Sequence, residues 1–373
     1  MSAVAVLTRR HCTKCFASYS HEFSACPRDG TILVDRIDPL LDTILDDKYV
    51  ITQFLGEGGL GVVYQASHVR LGRNYAVKFP RGANVDHPKS RARFAIEARA
   101  AGRLEHPNIA AVVDFGETER GLPYLVMEYA HGRSLAELIA DQPMSLDRVL
   151  DYALQIARGL AHAHAHGVIH RDLKPENVMV SEDHLKIVDF GIALLSELGD
   201  EGRLTTKGLV VGTPWYMSPE QLQGTPIDER SDQFSLGMII CEMILGRRVF
   251  TGSAVEAAHH IVQGEVPLLR ELVPWMMLPT GFEEIVNRLL ARVPSARFPA
   301  IGNAVDALTA IVRQTRLADL TATPSIVPLS PPRPMPLASV TAKTELAFSP
   351  PRRSLWTRML AWIIGHSPNP PDV

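Results

Sequence analysis

The chain has 373 residues, of which 46% are hydrophobic and 21% charged, and its net charge is -3. One hydrophobic core rarely serves a chain of this length, so we expect two or three folding units. The charge excludes an overall attraction to nucleic acid, and four cysteines are too few for a disulfide scaffold. The N-terminus does not read as a secretory signal, and no run of about 18 apolar residues predicts a membrane span. These features predict a cytoplasmic chain with reduced thiols.

Residues 8–36 contain three of the cysteines at short spacing. The pattern CTKC followed by CPRDG looks like a zinc-ribbon knuckle pair in which the last ligand position holds aspartate. The predicted ligands of a structural Zn2+ are Cys12, Cys15, Cys26 and Asp29. His11 or His21 remains an alternative fourth ligand, and a metal-free flexible leader is the other interpretation. Metal is favoured because a segment this short has almost no apolar core of its own.

Residues 37–48 read as an acidic linker, and the pattern changes at Tyr49. The stretches YVITQFL, GVVYQASHV and NYAVKF are rich in β-branched and aromatic residues, so they predict the first strands of an antiparallel sheet. A helical pattern over residues 90–104 and a strand pattern over residues 124–129 follow. The periodicity is then mostly helical as far as Leu308. From Thr321 to the end the sequence is rich in proline, which predicts disorder.

The run GEGGLGVV is a G-x-G-x-x-G-x-V motif between two strand patterns. Glycines at these positions let backbone N–H groups approach phosphates closely. A dinucleotide-binding fingerprint needs a helix directly after the glycines, whereas GVVYQA continues as a strand, so that alternative is rejected. Lys78 follows in a strand, and Glu97 lies on the next predicted helix, where it would pair with Lys78.

The strongest motif is HRDLKPEN over residues 170–177, followed by DFG at 189–191 and SPE at 218–220. Chance agreement at all of these places, in this order and after the glycine run, is negligible. The chain therefore resembles the eukaryotic-like (Hanks-type) serine/threonine protein kinases of bacteria. The resemblance spans residues 49–311 and includes every signature element of that family in sequence.

The resemblance implies an α+β fold, the bilobal protein kinase fold, over residues 49–315. A lobe with a small antiparallel sheet and one main helix would cover residues 49–127, and a hinge would cover 128–131. A larger, mainly α-helical lobe would cover residues 132–315. The predicted disordered tail would occupy residues 316–373.

The resemblance also implies a role for each motif residue. Asp172 would accept the proton of the substrate hydroxyl, and Lys174 would lie beside the γ-phosphate of ATP. Lys78, held by Glu97, would contact the α and β phosphates. Asn177 and Asp189 would bind Mg2+, for which Mn2+ is an alternative. The residues expected to contact ATP are Gly56, Glu57, Gly58, Gly59, Leu60, Gly61, Val63, Ala76, Lys78, Met127, Glu128, Ala130, Asn177 and Asp189.

Lys174 is typical of kinases whose acceptors are serine or threonine hydroxyls of proteins, and Gly-Thr-Pro at residues 212–214 agrees with it. We therefore expect a non-specific serine/threonine protein kinase in bacterial signalling. A pseudokinase that acts as a binding module is one alternative, but it usually lacks one of Lys78, Asp172 or Asp189. A small-molecule kinase is the other, but it shares neither Lys174 nor the SPE segment.

Two further expectations concern regulation. Thr205 and Thr206 are the predicted sites of autophosphorylation, because Arg171, directly before the catalytic aspartate, would reach a phosphorylated loop. A dimer would allow this reaction to proceed in trans. In the tail, residues 354–365 form a short amphipathic pattern that predicts contact with a membrane interface or a protein groove. A poorly ordered tail is the alternative.

Overall fold

The structure, a computed structural model, describes ten segments of the chain. They are residues 8–11, 18–19, 23–27, 30–38, 40–58, 61–80, 88–119, 121–190, 214–264 and 266–321. The described N-terminal part forms a small antiparallel sheet of strands β1 (Thr8–His11), β2 (Ser18–Tyr19) and β3 (Val34–Ile37), in the order β2-β1-β3. Cys26 is buried beside it, in a turn where Ala25 forms a bridge with Ile32.

The next lobe is a six-stranded antiparallel sheet in the order β4-β5-β6-β7-β9-β8. Its strands are β4 (Ile44–Leu45), β5 (Tyr49–Gly58), β6 (Gly61–His68), β7 (Asn74–Pro80), β8 (Val112–Glu117) and β9 (Pro123–Glu128). Helix α1 (Pro88–Ala101) packs on one face through Phe94 and Ala98, against Leu125 and Met127. Because side chains alternate along a strand, the other face carries a separate apolar cluster that includes Tyr64.

The third part is mainly helical, apart from a small sheet of β10 (Arg133–Ser134), β11 (Val178–Ser181) and β12 (His184–Ile187). Its helices are α2 (Leu135–Asp141), α3 (Leu146–Ala165), α4 (Pro219–Gln223), α5 (Arg230–Leu245), α6 (Ala254–Gln263), α7 (Leu269–Leu272), α8 (Phe282–Leu289) and α9 (Ile301–Thr321). Helix α2 begins with a capping box, in which Ser134 and Glu137 satisfy each other's backbone N–H groups. Helix α9 continues past residue 315, where the predicted tail begins.

Helix α5 lies at the centre of the larger lobe. Its residues from Ser231 to Ile244 are all buried, so it is buried on nearly every side rather than along one apolar stripe. Helices α3, α8 and α9 contribute to the same core. The bilobal architecture implied by the family resemblance is thus confirmed, with one difference at its N-terminal border. The predicted linker over residues 37–48 contains β4, which pairs with β5.

The lobes are joined behind the hinge by a parallel bridge between Ile109 and Ile187. Ala110 donates its backbone N–H to the carbonyl of Ile187 at 2.9 Å, and Ile187 donates to the carbonyl of Asn108 at 2.9 Å. Both lobes therefore share backbone hydrogen bonds beside the cleft. Within the described ranges, no helix combines the length and apolarity required to cross a membrane.

Candidate active site

A cavity of about 370 Å³ opens in the cleft between the sheet lobe and the helical lobe. It is lined by Leu55, Gly56, Val63, Ala76, Ala110, Met127, Glu128, Tyr129, Ala130, Gly132, Glu137, Glu176, Asn177, Met179, Val188 and Asp189. Among the residues expected to contact ATP, the cavity wall contains Gly56, Val63, Ala76, Met127, Glu128, Ala130, Asn177 and Asp189. The wall combines apolar side chains with the polar side chains of Asn177 and Asp189, a combination that suits a purine with a phosphate chain.

The glycine-rich motif forms the hairpin between β5 and β6. Gly58 pairs with Gly61, and Glu57 pairs with Val62, while residues 59 and 60 lie outside the described residues. Gly61 has a steric reason to be glycine, because a Cβ there would clash with the carbonyl oxygen of Phe79 on β7. The hairpin is thereby seated directly on the strand that carries Lys78.

Lys78 forms an ion pair with Asp189 across the cleft, with 3.0 Å between Nζ and Oδ1. The lysine side chain is 8% exposed and the aspartate 23%, so the pair is shielded and yet reaches the cavity. Asp189 has a positive φ of 62°, a conformation that Asp tolerates better than most residues. Glu97 lies on α1 and is half-buried, and its pairing with Lys78 stays a prediction.

The HRDLKPEN motif places its polar side chains around one carboxylate. Lys174 Nζ donates to Asp172 Oδ2 at 2.8 Å, and Asn177 Nδ2 donates to the carbonyl oxygen of Asp172 at 2.8 Å. A short 3-10 turn, Pro175–Asn177, brings Asn177 back toward Asp172. Because the amide nitrogen of Asn177 is used in this bond, its Oδ1 is left to serve as an oxygen ligand.

Asp232, at the start of α5, holds the HRDLKPEN loop through hydrogen bonds to its backbone. Its carboxylate accepts the backbone N–H of His170 at 2.8 Å and that of Arg171 at 2.9 Å, and it contacts His164 Nε2 at 2.7 Å. Burial alone would raise the pKa of Asp232, but the hydrogen bond and charge of His164 outweigh it and the pKa lies below its usual range. Arg171 adopts a positive φ of 65°, which these two backbone bonds stabilise.

His170 is fully buried, and its role is structural. Burial lowers its pKa, so the imidazole is neutral near pH 7. Its Nε2 donates to the carbonyl oxygen of Val188 at 3.0 Å, while Nδ1 accepts the N–H of Asp172 at 3.3 Å. Its ring lies 4.7 Å from that of Phe190, between centroids. Both nitrogens are occupied by backbone groups, and the ring packs against Phe190.

The SPE segment is fixed by a buried ion pair. Arg297 donates to both carboxylate oxygens of Glu220, at 2.7 and 2.9 Å, and Ser231 donates to the same carboxylate at 2.7 Å. Gln221 then donates from Nε2 to the carbonyl oxygen of Arg171 at 2.7 Å. Helix α4 thus ties the catalytic loop to the core of the helical lobe.

Several predicted site residues lie outside the described residues. These are Gly59, Leu60, the phosphosites Thr205 and Thr206, and the zinc ligands Cys12, Cys15 and Asp29. Cys26 is the described member of the zinc set, and the carbonyl oxygen of Cys26 accepts the N–H of Gly30 at 2.9 Å. Within the described segments, no three His, Cys, Asp or Glu side chains are grouped so that they could hold a metal ion.

The cavity wall also contains residues that sequence reasoning missed. Leu55 directly precedes the glycine run, and Met179 lies on β11 two residues after Asn177. Both positions lie within two residues of a recognised motif, so closeness to the motif along the chain was the available signal. Val188 directly precedes the DFG motif and Gly132 directly follows the predicted hinge, whereas Ala110 comes from a segment without a motif.

Comparison with known proteins agrees with this geometry. Serine/threonine-protein kinase pkn3 of Myxococcus xanthus is 38% identical over 282 residues, which is 73% of this chain and 51% of that protein. Serine/threonine-protein kinase PknB of Mycolicibacterium smegmatis is 38% identical over 262 residues, 68% of this chain and 41% of that protein. The chain thus spans about half the length of these relatives.

A solved structure supports the fold, and a family model covers most of the chain. The crystal structure of the Mycobacterium tuberculosis PknI kinase domain matches with a TM-score of 0.57 at 25% identity, over 73% of this chain and 99% of that domain. The family model of the protein kinase domain matches residues 49–307. The chain therefore belongs to the protein kinase domain family.

Proposed function

We propose that this protein is an ATP-dependent serine/threonine protein kinase that transfers the γ-phosphoryl group of ATP to hydroxyls of proteins. One observation carries the proposal: Asp172 and Lys174 form a 2.8 Å contact in the same cleft where Lys78 and Asp189 meet at 3.0 Å. The first pair suits a hydroxyl acceptor, and the second suits a metal-bound phosphate chain. The relatives named above carry the serine/threonine designation, which supports the acceptor class.

In the proposed reaction the acceptor hydroxyl approaches Asp172, which takes its proton as the new bond to phosphorus forms. The bond between the γ-phosphorus and the bridging oxygen breaks, and ADP leaves. Lys174 stabilises negative charge on the transferred group, because its ammonium group lies beside the Asp172 carboxylate that the acceptor approaches. Lys78 orients the α and β phosphates through a charge that solvent cannot replace in this buried position.

The side chains at the cleft suit a divalent cation with oxygen ligands. Asn177 has its amide nitrogen committed to Asp172, which leaves an oxygen for Mg2+, and Asp189 contributes a carboxylate. Mn2+ accepts the same ligands. When bound, the cation neutralises charge on the phosphates.

The test is phosphoryl transfer from labelled ATP to a generic protein acceptor by the full chain. Asp172→Asn should lower kcat by about 100-fold or more, because a positioned general base contributes at least that factor. Asp183→Asn is the matched control, since Asp183 lies in the same lobe with its side chain 88% exposed. Lys78→Met and Asp189→Asn should also abolish turnover. Unchanged turnover in a folded Asp172→Asn enzyme would refute the assigned role of Asp172, whereas no turnover in the folded wild type would favour a binding module.

We further propose that the N-terminal segment is a zinc ribbon with Cys12, Cys15, Cys26 and Asp29 as ligands. Cys26 is 3% exposed and its backbone N–H bonds to the carbonyl of Thr31 at 2.7 Å, so the described half of the knuckle is a tight turn. Zinc would supply the folding free energy that this short segment lacks.

The remaining proposals concern context. We propose a cytoplasmic kinase in bacterial signal transduction, which dimerises to phosphorylate Thr205 or Thr206 of its partner. The segment 354–365 of the tail would contact a membrane interface or a protein groove, because its sequence is basic, aromatic and apolar. Physiological acceptors are proteins with serine or threonine side chains.

A further inference from the structure

The segment of residues 38–48, which we call the strap, is built into the sheet lobe. Its strand β4 pairs with β5, Asp42 donates its N–H to the carbonyl of Ile51 at 2.9 Å, and Ile51 donates to the carbonyl of Thr43 at 3.0 Å. Leu40 and Leu41 pack against the apolar cluster on the sheet face opposite α1. The strap thus covers the face that α1 leaves uncovered.

Hydrogen bonds between carboxylates and tyrosines anchor the strap and its junction with β5. Tyr64 donates its hydroxyl to Asp38 Oδ2 at 2.8 Å, and Tyr124 donates to Asp46. At the junction, Asp114 accepts from Lys48 Nζ at 3.0 Å. These contacts cross from the strap to β6, β9 and β8, so they bind it across the width of the sheet.

The Asp38–Tyr64 bond is the buried member of this set. Asp38 is 6% exposed and Tyr64 3%. Asp38 Oδ1 also accepts the N–H of Leu40 at 3.1 Å, so the carboxylate organises its own turn while it holds the tyrosine. A buried carboxylate bond of this kind is stronger than an exposed one, because water does not compete for either partner.

Tyr64 connects this anchor to the nucleotide cavity. It directly follows Val63, which lines the cavity from the other face of β6. The Tyr64 ring meets that of Phe79 edge-on, with centroids 5.8 Å apart, and Phe79 directly follows Lys78 on β7. The strands that present Val63 and Lys78 to the cavity therefore present Tyr64 and Phe79 to the strap.

We propose that Asp38 and Tyr64 are positioning residues for ATP: the strap fixes the glycine-rich hairpin and Lys78 from behind. This inference rests on the proposed kinase function. Side chains that act on substrate need packed neighbours to hold them in place, and here those neighbours sit on the opposite sheet face. Strand β3 ends at Ile37, directly before Asp38, so the N-terminal segment joins the sheet lobe at this anchor.

The test is steady-state kinetics of the full chain with Asp38→Asn, Tyr64→Phe and the double variant. Each single change should raise the KM for ATP by about three- to tenfold, which is the size of a typical net hydrogen-bond contribution. The KM for the protein acceptor should stay within about twofold of wild type, since the acceptor binds the helical lobe. The double variant should resemble the singles, because both single changes act on the same bond. Asp42→Asn, at an exposed position of the same strap, should change neither constant.

Calorimetric titration with ATP separates this inference from the proposed function. If the wild type binds ATP but transfers no phosphate, the kinase proposal fails while the ATP affinities of the variants still test the strap. Equal ATP affinity in wild type, Asp38→Asn and Tyr64→Phe would overturn the inference, as would an equal rise in both KM values. Tyr64→Phe keeps the ring and its contacts, so it provides the answer if Asp38→Asn does not fold.

Discussion

Buried carboxylates in the helical lobe illustrate how single residues hold the site. Asp232 is 1% exposed and organises the catalytic loop, while Glu220 is 4% exposed and organises the SPE segment. Each is ionised in an interior that would otherwise favour its neutral form, because hydrogen bonds outweigh the cost of burial. For Glu220, burial would raise the pKa, but the hydrogen bonds and charge of Arg297 hold the pKa below its usual range.

A first prediction concerns the Glu220–Arg297 pair. Glu220→Gln should lower the free energy of unfolding by about 3 kcal/mol, because it leaves a buried guanidinium without its counter-charge. In thermal unfolding this corresponds to a fall of roughly 6–12 °C in Tm. Glu283→Gln is the control, since Glu283 meets Arg270 at the same kind of distance, 2.8 Å, but the arginine side chain is 58% exposed. That change should cost about 1 kcal/mol or less.

The pH dependence of this pair has a definite sign. The folded pKa of Glu220 lies below its unfolded value, so the stabilisation is fully present above the unfolded pKa and is lost as pH falls through the folded pKa. The difference in Tm between wild type and Glu220→Gln should therefore shrink in acid. A difference that is constant from neutral to acidic pH would contradict the assigned charge state.

The sequence predicted those site residues whose partners lie close to them along the chain. Asp172, Lys174 and Asn177 lie within one motif, and in the structure Lys174 and Asn177 both donate hydrogen bonds to Asp172. Asp232 was missed because it lies far along the chain from the loop it supports, on a helix without a motif.

Elements with strong periodicity were also predictable, whereas the strap was not. Its strand β4 has two residues, too few for any periodic signal. Its acidic residues are typical of a solvent-exposed linker. In the structure, however, Asp42, Asp46 and Asp47 adopt positive φ and form its tight turns. Asp is among the side chains that tolerate this conformation, but the same composition is typical of linkers, so only tertiary packing distinguishes the two.

A second prediction concerns the N-terminal segment as a metal-dependent element. Elemental analysis of the purified full chain should find about one zinc per chain, lost in the Cys12→Ser, Cys15→Ser double variant. Kinase activity should be largely kept, because the predicted zinc is structural. Cys241→Ala is the control: Cys241 is buried in α5, burial raises its thiol pKa to about 12, and its loss should leave the zinc content unchanged.

A metal-free preparation with a protease-resistant N-terminal segment would show that this element folds without zinc. It would also separate the zinc proposal from the strap, whose anchors use carboxylates and tyrosines alone. If removing zinc with a chelator raises the KM for ATP in the wild type but not in Asp38→Asn, the N-terminal segment would act on the ATP site through the strap.

At the scale of the whole molecule, the bilobal fold was predictable because many motifs occur in one order. Periodicity alone predicted a sheet followed by helices, and it did not predict the strand order in which β9 lies between β7 and β8. The relation between the lobes depends on long-range bonds such as that between Ala110 and Ile187, for which the sequence has no local signal.

The last prediction is that the kinase activates itself through phosphate on Thr205 or Thr206. Arg171 supplies the structural motive. Its backbone is fixed by Asp232 and its carbonyl by Gln221, and within the described residues its buried Nε has no hydrogen-bond partner. A buried guanidinium nitrogen without a partner is costly, and a phosphate dianion would satisfy it through charge-assisted bonds. We therefore expect the phosphorylated enzyme to be the active form.

Thr205→Ala with Thr206→Ala should lower kcat at least about tenfold, since the loss of charge-assisted bonds to one arginine costs about that factor. The matched control is Thr251→Ala with Thr280→Ala, two exposed threonines of the same lobe, which should keep full activity. Phosphatase treatment should inactivate the wild type, and incubation with ATP should restore it. The Asp172→Asn variant should be phosphorylated when it is mixed with wild type but not when it is incubated alone with ATP. This comparison tests transfer in trans. Full activity in the Thr205, Thr206 variant would reject the switch. An active wild type whose mass spectrum lacks phosphate at these residues would reject it as well, because the kinase would then be active without an anion bound to Arg171.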